Sequence, residues 1–278
     1  MRVDAHHHVW DLATRDQPWT IDLPVLRRSY DFDELCPSLI AHAIEATVLV
    51  QTICVREETP ELLQLAESEP TIAAVVGWVD LTTADVGERI AELRSGPGGH
   101  RLAGLRHQVQ SEPDPRWLCR DEVRRGLAAL EQAGLVFDLL VQPSQLGAAI
   151  ETVQALPNLR FILDHAGKPA VRDGALEPWA SNITELATLP NVAAKLSGLV
   201  TEASPGWAVA DLRPFADQLL SSFGPSRVMF GSDWPVCLLA ASYTDVMTAA
   251  EELTDQLGRD ERADIFGGTA ARWYGIVS

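Results

Sequence analysis

Two of the seven histidines in this chain, His6 and His8, form a His-x-His pattern inside an apolar context, with Val3 before and Val9-Trp10 after. Side chains alternate along a strand, so His6 and His8 share one side and His7 takes the other. Two imidazoles side by side at a strand end can reach one metal ion or one water. Taken singly, each would read as an ordinary hydrogen-bonded histidine. Farther along, Phe161-Ile162-Leu163 runs into Asp164-His165-Ala166-Gly167-Lys168-Pro169, an ionisable pair at a strand end that turns sharply into a loop. His165 offers a third ligand or an electrophile for a carbonyl. Lys168 is either an anchor for an anionic group or a solvated loop cation. Val228-Met229-Phe230 leads in the same way into Gly231-Ser232-Asp233-Trp234-Pro235. There the small residues let the backbone come close, and Asp233 is suited to take a proton from an attacking water. A helix-capping role for Asp233 fits poorly with the Trp-Pro that follows.

These groups lie far apart in the chain, so the fold must gather them. Short apolar, β-branched runs alternate with amphipathic segments eight times. The runs are 3–9, 46–53, 72–79, 102–109, 136–141, 160–163, 192–196 and 228–230. Helical segments are expected over 33–44, from Thr59-Pro60-Glu61 with Thr59 as N-cap, and over 84–93, 121–132, 145–155, 178–189, 211–223 and 244–257. Gly134 stands where a left-handed C-cap is expected, and a last segment, 261–274, is expected to pack across a barrel end. Eight β-then-α units predict an α/β fold of the (β/α)₈ barrel type, one domain over residues 1–278. An open doubly wound sheet would normally carry a Gly-rich phosphate turn after its first strand, where this chain has histidines. In such barrels the C-terminal strand ends converge, which is where His6, His8, His165 and Asp233 fall.

Other strand ends supply weaker candidates for substrate binding: Gln51, Trp78, Asp80, Arg106, His107, Asp138 and Gln142. Ser197 lacks a G-x-S-x-G elbow, and the glycines of 96–99 precede a strand rather than a helix. A serine nucleophile and a phosphate cradle are therefore not indicated.

Composition narrows the partners. The formal charge is −17, and the densest basic stretch, Arg116 to Arg125, is interrupted by Asp121 and Glu122, so nucleic-acid binding is not expected. No apolar run is long enough to cross a bilayer, and the chain starts without an apolar leader. Four scattered cysteines argue against a disulfide framework or a zinc ribbon, which makes the cytoplasm the expected compartment.

Taken in order, Asp4-x-His6-x-His8-x-Trp10, Gln17-Pro18-Trp19, Leu26-Arg27-Arg28-Ser29-Tyr30, Val50-Gln51, Gly77-Trp78-Val79-Asp80, Gly104-Leu105-Arg106-His107, Asp164-His165-x-Gly167-Lys168-Pro169, Lys195-Leu196-Ser197-Gly198 and Gly231-Ser232-Asp233-Trp234-Pro235 resemble the amidohydrolase superfamily, amidohydrolase-2 type. The similarity is to its lactonase branch, with L-fuconolactonases, L-rhamnonolactonases and 2-pyrone-4,6-dicarboxylate lactonases. His-x-His alone is a weak signal, whereas the ordered set, spread over nearly the whole chain, is specific. The resemblance implies a (β/α)₈ barrel centred on His6, His8, His165 and Asp233. No lysine ends strand four and no histidine ends strand five, so one divalent cation (Zn or Mn) or none is expected rather than a binuclear centre.

The expected chemistry is hydrolysis of a cyclic ester of small-molecule size, most favourably a sugar-acid lactone. Asp233 would take a proton from water and hand it to the leaving alkoxide. His165 and His107, with a metal if present, would stabilise the oxyanion. Arg28, Tyr30, Gln51, Arg106 and Lys168 would read hydroxyls or a carboxylate. A metal-dependent decarboxylase on the same barrel and a non-catalytic carbohydrate-binding barrel are the alternatives.

Overall fold

A computed structural model describes residues 1–277. Eight strands run in chain order around one parallel sheet: β1 (Val3–His7), β2 (Ala46–Val50), β3 (Ile72–Gly77), β4 (Leu102–His107), β5 (Val136–Leu139), β6 (Arg160–Leu163), β7 (Val192–Leu196) and β8 (Val228–Phe230). The ring is joined by the residues just after β8: Asp233 N–H donates to His6 O at 2.8 Å and His8 N–H to Trp234 O at 2.7 Å. Several strands stop short of the apolar runs that announce them. Val79, Val109 and Val141 lie beyond the ends of β3, β4 and β5 and are still buried.

The helices are α1 (Phe32–Ala41), α2 (Glu58–Ser68), α3 (Val86–Ser95), α4 (Asp121–Ala133), α5 (Leu146–Ala155), α6 (Trp179–Ala187), the single turn α7 (Leu199–Glu202), α8 (Val209–Phe223) and α9 (Tyr243–Leu253). Asp31 caps α1 by accepting from Glu34 N–H, and Ser242 caps α9 through Asp245 N–H. Gly134 does end α4 in the left-handed region, at φ 69°. The expected cap at Thr59 is not formed. Helix α2 starts two residues earlier, with Glu57 at the N-cap, and the Thr59 hydroxyl instead accepts from Trp78 N–H and donates to Trp78 O, pinning α2 to the end of β3. The turn α7 was not anticipated in the sequence.

Two apolar layers result. One lies between the sheet and the helices. The other fills the barrel with Val3, Ala5, Val48, Val76, Val136, Ile162, Ala193 and Met229, and is closed from below by Ala270 and Tyr274. Both belong to the last helix, α11 (Thr269–Tyr274), which follows α10 (Arg259–Ala263) and packs across the barrel end as the sequence suggests.

Candidate active site

Period-two alternation explains the layer above that apolar floor. Val136, Ile162 and Ala193 point inward, so Asp138, Asp164 and Lys195, two residues on, point inward as well, one level nearer the mouth. All three are fully enclosed. Lys195 Nζ donates to Asp138 Oδ2 at 2.6 Å and lies 2.9 Å from Asp164 Oδ1, while Arg106 Nη1 donates to Asp164 Oδ2 at 3.0 Å. Two carboxylates and two cations therefore form a buried charge-balanced square, and Tyr274 donates its hydroxyl to Asp138 Oδ2 at 2.7 Å from below. Burial pushes the Asp138 carboxyl up to about 6, with Lys195 opposing.

On β1 simple alternation is interrupted. Val3 and Ala5 pack inside the barrel, yet His6 and His8 also turn toward its axis. The register with β2 shifts between Asp4 and His7, a bulge that re-aims both imidazoles inward and leaves His7 facing Thr47 and Phe32. Asp4 holds the seam between the first and last strands by accepting from Ser232 N–H at 2.8 Å and His6 N–H at 3.2 Å. Gly231 has to be glycine here, because a Cβ at that position would stand 2.7 Å from His6 Cβ. At Gly198 a Cβ would meet His165 Cβ at the same 2.7 Å.

The structure brings His6, His8, His165 and Asp233 together at the C-terminal mouth. The Nε2 atoms of His6 and His8 are 3.1 Å apart, and Asp233 Oδ1 lies 3.7 Å from the first and 3.5 Å from the second. His165 Nδ1 is 3.9 Å from Asp233 Oδ2. His165 and Asp233 adopt positive φ, 50° and 57°, as do Ala166 and Lys168. Non-glycine residues rarely adopt this conformation, and here it gathers where the side chains converge. Burial drives the His165 imidazole down to about 4 and His6 well below its usual value, in the latter case helped by Lys195, so both rings are neutral. Burial alone would raise Asp233, but the imidazoles around it, His165 foremost, reverse the sign and hold it well below the carboxylate range.

This donor set fits one divalent cation. Zinc bonds of about 2.0–2.1 Å put tetrahedral ligand atoms about 3.4 Å apart, close to the separations among His6, His8 and Asp233. His8 Nδ1 faces Val50 O at 2.7 Å, which leaves Nε2 free to ligate. His6 Nδ1 faces Lys195 Nζ at 3.0 Å and Asp164 Oδ1 at 3.5 Å, which leaves its Nε2 turned toward the cluster. The ionised Asp233 carboxylate beside the neutral His6 and His165 rings is a donor set of the charge and type that a divalent cation takes. His6, His165 and Asp233 are also the three residues among those described whose ligand atoms cluster tightly enough for a metal, all within 4.8 Å.

A cavity of about 200 Å³ opens above the cluster, lined among others by His8, Trp19, Thr52, Arg106, Gln108, Gln110, Ser111, His165, Lys168 and Asp233. A larger hollow of about 360 Å³ between α2 and α3, floored by Leu63 and Trp78, contains none of the imidazole–carboxylate cluster. Arg106 and Lys168 are in the mouth, but both are already paired: Arg106 with Asp164, and Lys168 with Glu202 at 3.1 Å.

Four other expected site residues are placed elsewhere. His107 follows the inward Arg106, so alternation turns it outward, where it stacks on Trp117 at 4.1 Å, accepts from Trp78 Nε1 and donates to Glu112. It does not face the cavity and is not placed to hold an oxyanion. Arg28 is half-exposed, forked onto Glu34 and lying 3.6 Å over the Tyr30 ring. Tyr30 is buried with its hydroxyl on Val25 O. Both belong to the long β1–α1 connection, and neither lines the cavity above the cluster. Gln51 sits beneath Arg106, accepting from its guanidinium, so it orients that residue instead of touching the cavity. Asp138, a weaker substrate-binding candidate, lies below the mouth. The converse omission is Lys195, whose signal was a lysine inside the otherwise apolar Val192-Ala193-Ala194-Lys195-Leu196.

Comparison with known proteins agrees with this geometry. The L-fucono-1,5-lactonase of Burkholderia multivorans is 44% identical over 290 residues, covering 99% of this chain and 96% of that one. A lactonase of the same name from Burkholderia ambifaria is 38% identical over 280 residues, again covering 99% and 96%. The crystal structure of a Burkholderia multivorans amidohydrolase with bound zinc superposes with a TM-score of 0.93 at 43% identity over the full length of both chains. The profile of the amidohydrolase family matches residues 3–276, and this chain belongs to that family.

Proposed function

We propose that this chain is a hydrolase that opens a neutral sugar-acid lactone, using a water from which Asp233 takes the proton. The observation that carries the reading is an ionised, buried carboxylate within 3.5–3.9 Å of three imidazoles at the barrel mouth. Relatives matched over 96% of their own length are L-fucono-1,5-lactonases. The neutral substrate follows from the two cations lining the cavity, which are already matched by Asp164 and Glu202.

We assign a single zinc ion to His6, His8, His165 and Asp233, in line with the zinc-bound relative. When bound, zinc supplies Lewis acidity toward the ester carbonyl and makes water easier to deprotonate. The chain's own groups do the rest. Asp233 accepts the proton from the attacking water and returns it to the ring oxygen as the acyl–oxygen bond breaks. His165, fixed by its Nδ1 contact with Ser197 Oγ at 3.0 Å, holds its ring in the cavity wall. Arg106, held by Gln51 and Asp164, sets a positive wall beside the developing oxyanion. All four cysteines are free and no helix among the described residues is long and apolar enough to cross a membrane. The free thiols fit a reducing, cytoplasmic setting, and the likeness to L-fucono-1,5-lactonases supports a small-molecule substrate of carbohydrate metabolism.

Asp233→Asn tests the reading. In weakly buffered indicator solution with aldonolactones, kcat is expected to fall by about 10²–10⁴. Turnover within a few-fold of wild type would remove Asp233 from its role. Carbon dioxide release in place of acid would show a decarboxylase instead.

A further inference from the structure

The connection after β4 carries Gln108, Gln110 and Ser111 into the cavity. Its amides are not equivalent. Gln108 donates to Thr52 O at 2.6 Å, and Gln145 behind it donates to Val109 O at 2.7 Å and accepts from Gln142 N–H. Gln110 is fixed through its backbone, whose N–H donates to Leu140 O at 3.0 Å, but its side-chain Oε1 is shut off from solvent without a hydrogen-bond partner. An enclosed acceptor lacking a donor is destabilising and uncommon, which singles it out. The segment holding it is rigid: His107 on one side is stacked on Trp117 and bonded to Trp78, and its Nε2 reaches Glu112 at 2.8 Å on the other. Gln110 thus stands in the cavity wall on a fixed backbone, with its side-chain amide making no hydrogen bond to the protein among the described residues.

We propose that Gln110 determines specificity at this site by reading two adjacent ring hydroxyls of the lactone. A carboxamide offers an acceptor and a donor side by side. One hydroxyl donates to Oε1 while its neighbour accepts from Nε2–H, a match to a vicinal diol. Turned over, the amide presents the same pair with the roles exchanged. The inference rests on the lactonase reading for its substrate, though not for the presence of a diol-reading amide.

The test compares wild type with Gln110→Met on an aldono-1,5-lactone and on δ-valerolactone, which has the same ring without hydroxyls. Sites that hydrogen-bond a hydroxyl discriminate strongly, so kcat/KM for the aldonolactone is expected to drop about 20-fold or more, carried largely by KM. δ-Valerolactone turnover should stay within about twofold. Equal losses on both lactones, or no loss on the aldonolactone, would overturn the proposal. Gln110→Glu, which keeps an acceptor and loses the donor, should fall between the two and serves if the methionine variant does not fold. Calorimetric binding of the matching aldono-1,5-lactam separates the two claims. If wild type opens no lactone yet binds the lactam in a Gln110-dependent way, the hydrolase reading fails and the diol reader stands. Equal lactam affinity in wild type and Gln110→Met refutes the diol reader, whatever the chemistry.

Discussion

Lys195 carries its ammonium into the barrel with no solvent contact and spends it on Asp138, Asp164 and His6, the last at 3.0 Å from Nδ1. Its worth lies in what its loss would leave behind. With Lys195 removed, Asp164 would keep Arg106 but Asp138 only the Tyr274 hydroxyl, and an uncompensated buried charge costs several kcal/mol. Lys195→Met is expected to lose about 3–5 kcal/mol in urea unfolding. Adding Asp138→Asn removes the stranded carboxylate, so the double variant should recover part of that loss, a coupling visible in the double-mutant cycle. Strict additivity would mean that the square is not an energetic unit. The lysine was legible in the sequence, since parity with the inward Ala193 puts it in the barrel. Its chemistry was not, because its three partners sit on different strands that only closure brings together.

At the scale of elements, alternation and strand ends account for most of what could be foreseen, and their local failures for the rest. The eight β/α units were readable because each pairs a short apolar run with an amphipathic segment. His6, His8, His165 and Asp233 were readable because strand ends of one hand meet at one mouth. The β1 bulge was not, since nothing in Asp4-Ala5-His6-His7 marks an extra residue against β2. Arg28 and Tyr30 were misplaced because a long connection has no period from which to project direction. His107 was a different error: with Arg106 inward, alternation already turned it away. Its actual place beside Trp117 has a pH signature. Burial holds its imidazole below the usual 6.5, with Glu112 opposing. A ring depressed in this way contributes stability above its unfolded value and loses it as the pH falls through the folded one. His107→Phe keeps the stack on Trp117 but cannot titrate. The variant should be the less stable protein near pH 8, with Trp78 Nε1 left without its partner. The gap in melting temperature should narrow toward about pH 5 as wild type alone loses the imidazole's contribution. A gap that stays constant or widens over that range would show the ring is not kept neutral by the fold.

Over the whole molecule the dominant feature is charge: 39 acidic against 22 basic side chains, a formal −17. The cations at the mouth, Arg106 and Lys168, do not offset this field locally because each is matched by its own carboxylate. A neutral lactone approaches without opposition, and the hydroxy acid formed from it is pushed outward as soon as it ionises. Salt should expose the asymmetry. Raising ionic strength from about 0.01 to about 0.1 M shortens the screening length from about 30 to about 10 Å. Over that range kcat/KM for an aldonolactone is expected to stay flat, while kcat/KM for a dicarboxylate lactone, if it is turned over at all, should rise. Product inhibition by the aldonate should strengthen with salt for the same reason. Were anionic ligands instead to bind more weakly as salt is added, local attraction at the mouth would outweigh the global field. Lys168 would then have to release Glu202 to meet an anionic substrate, and the neutral-lactone assignment would fall.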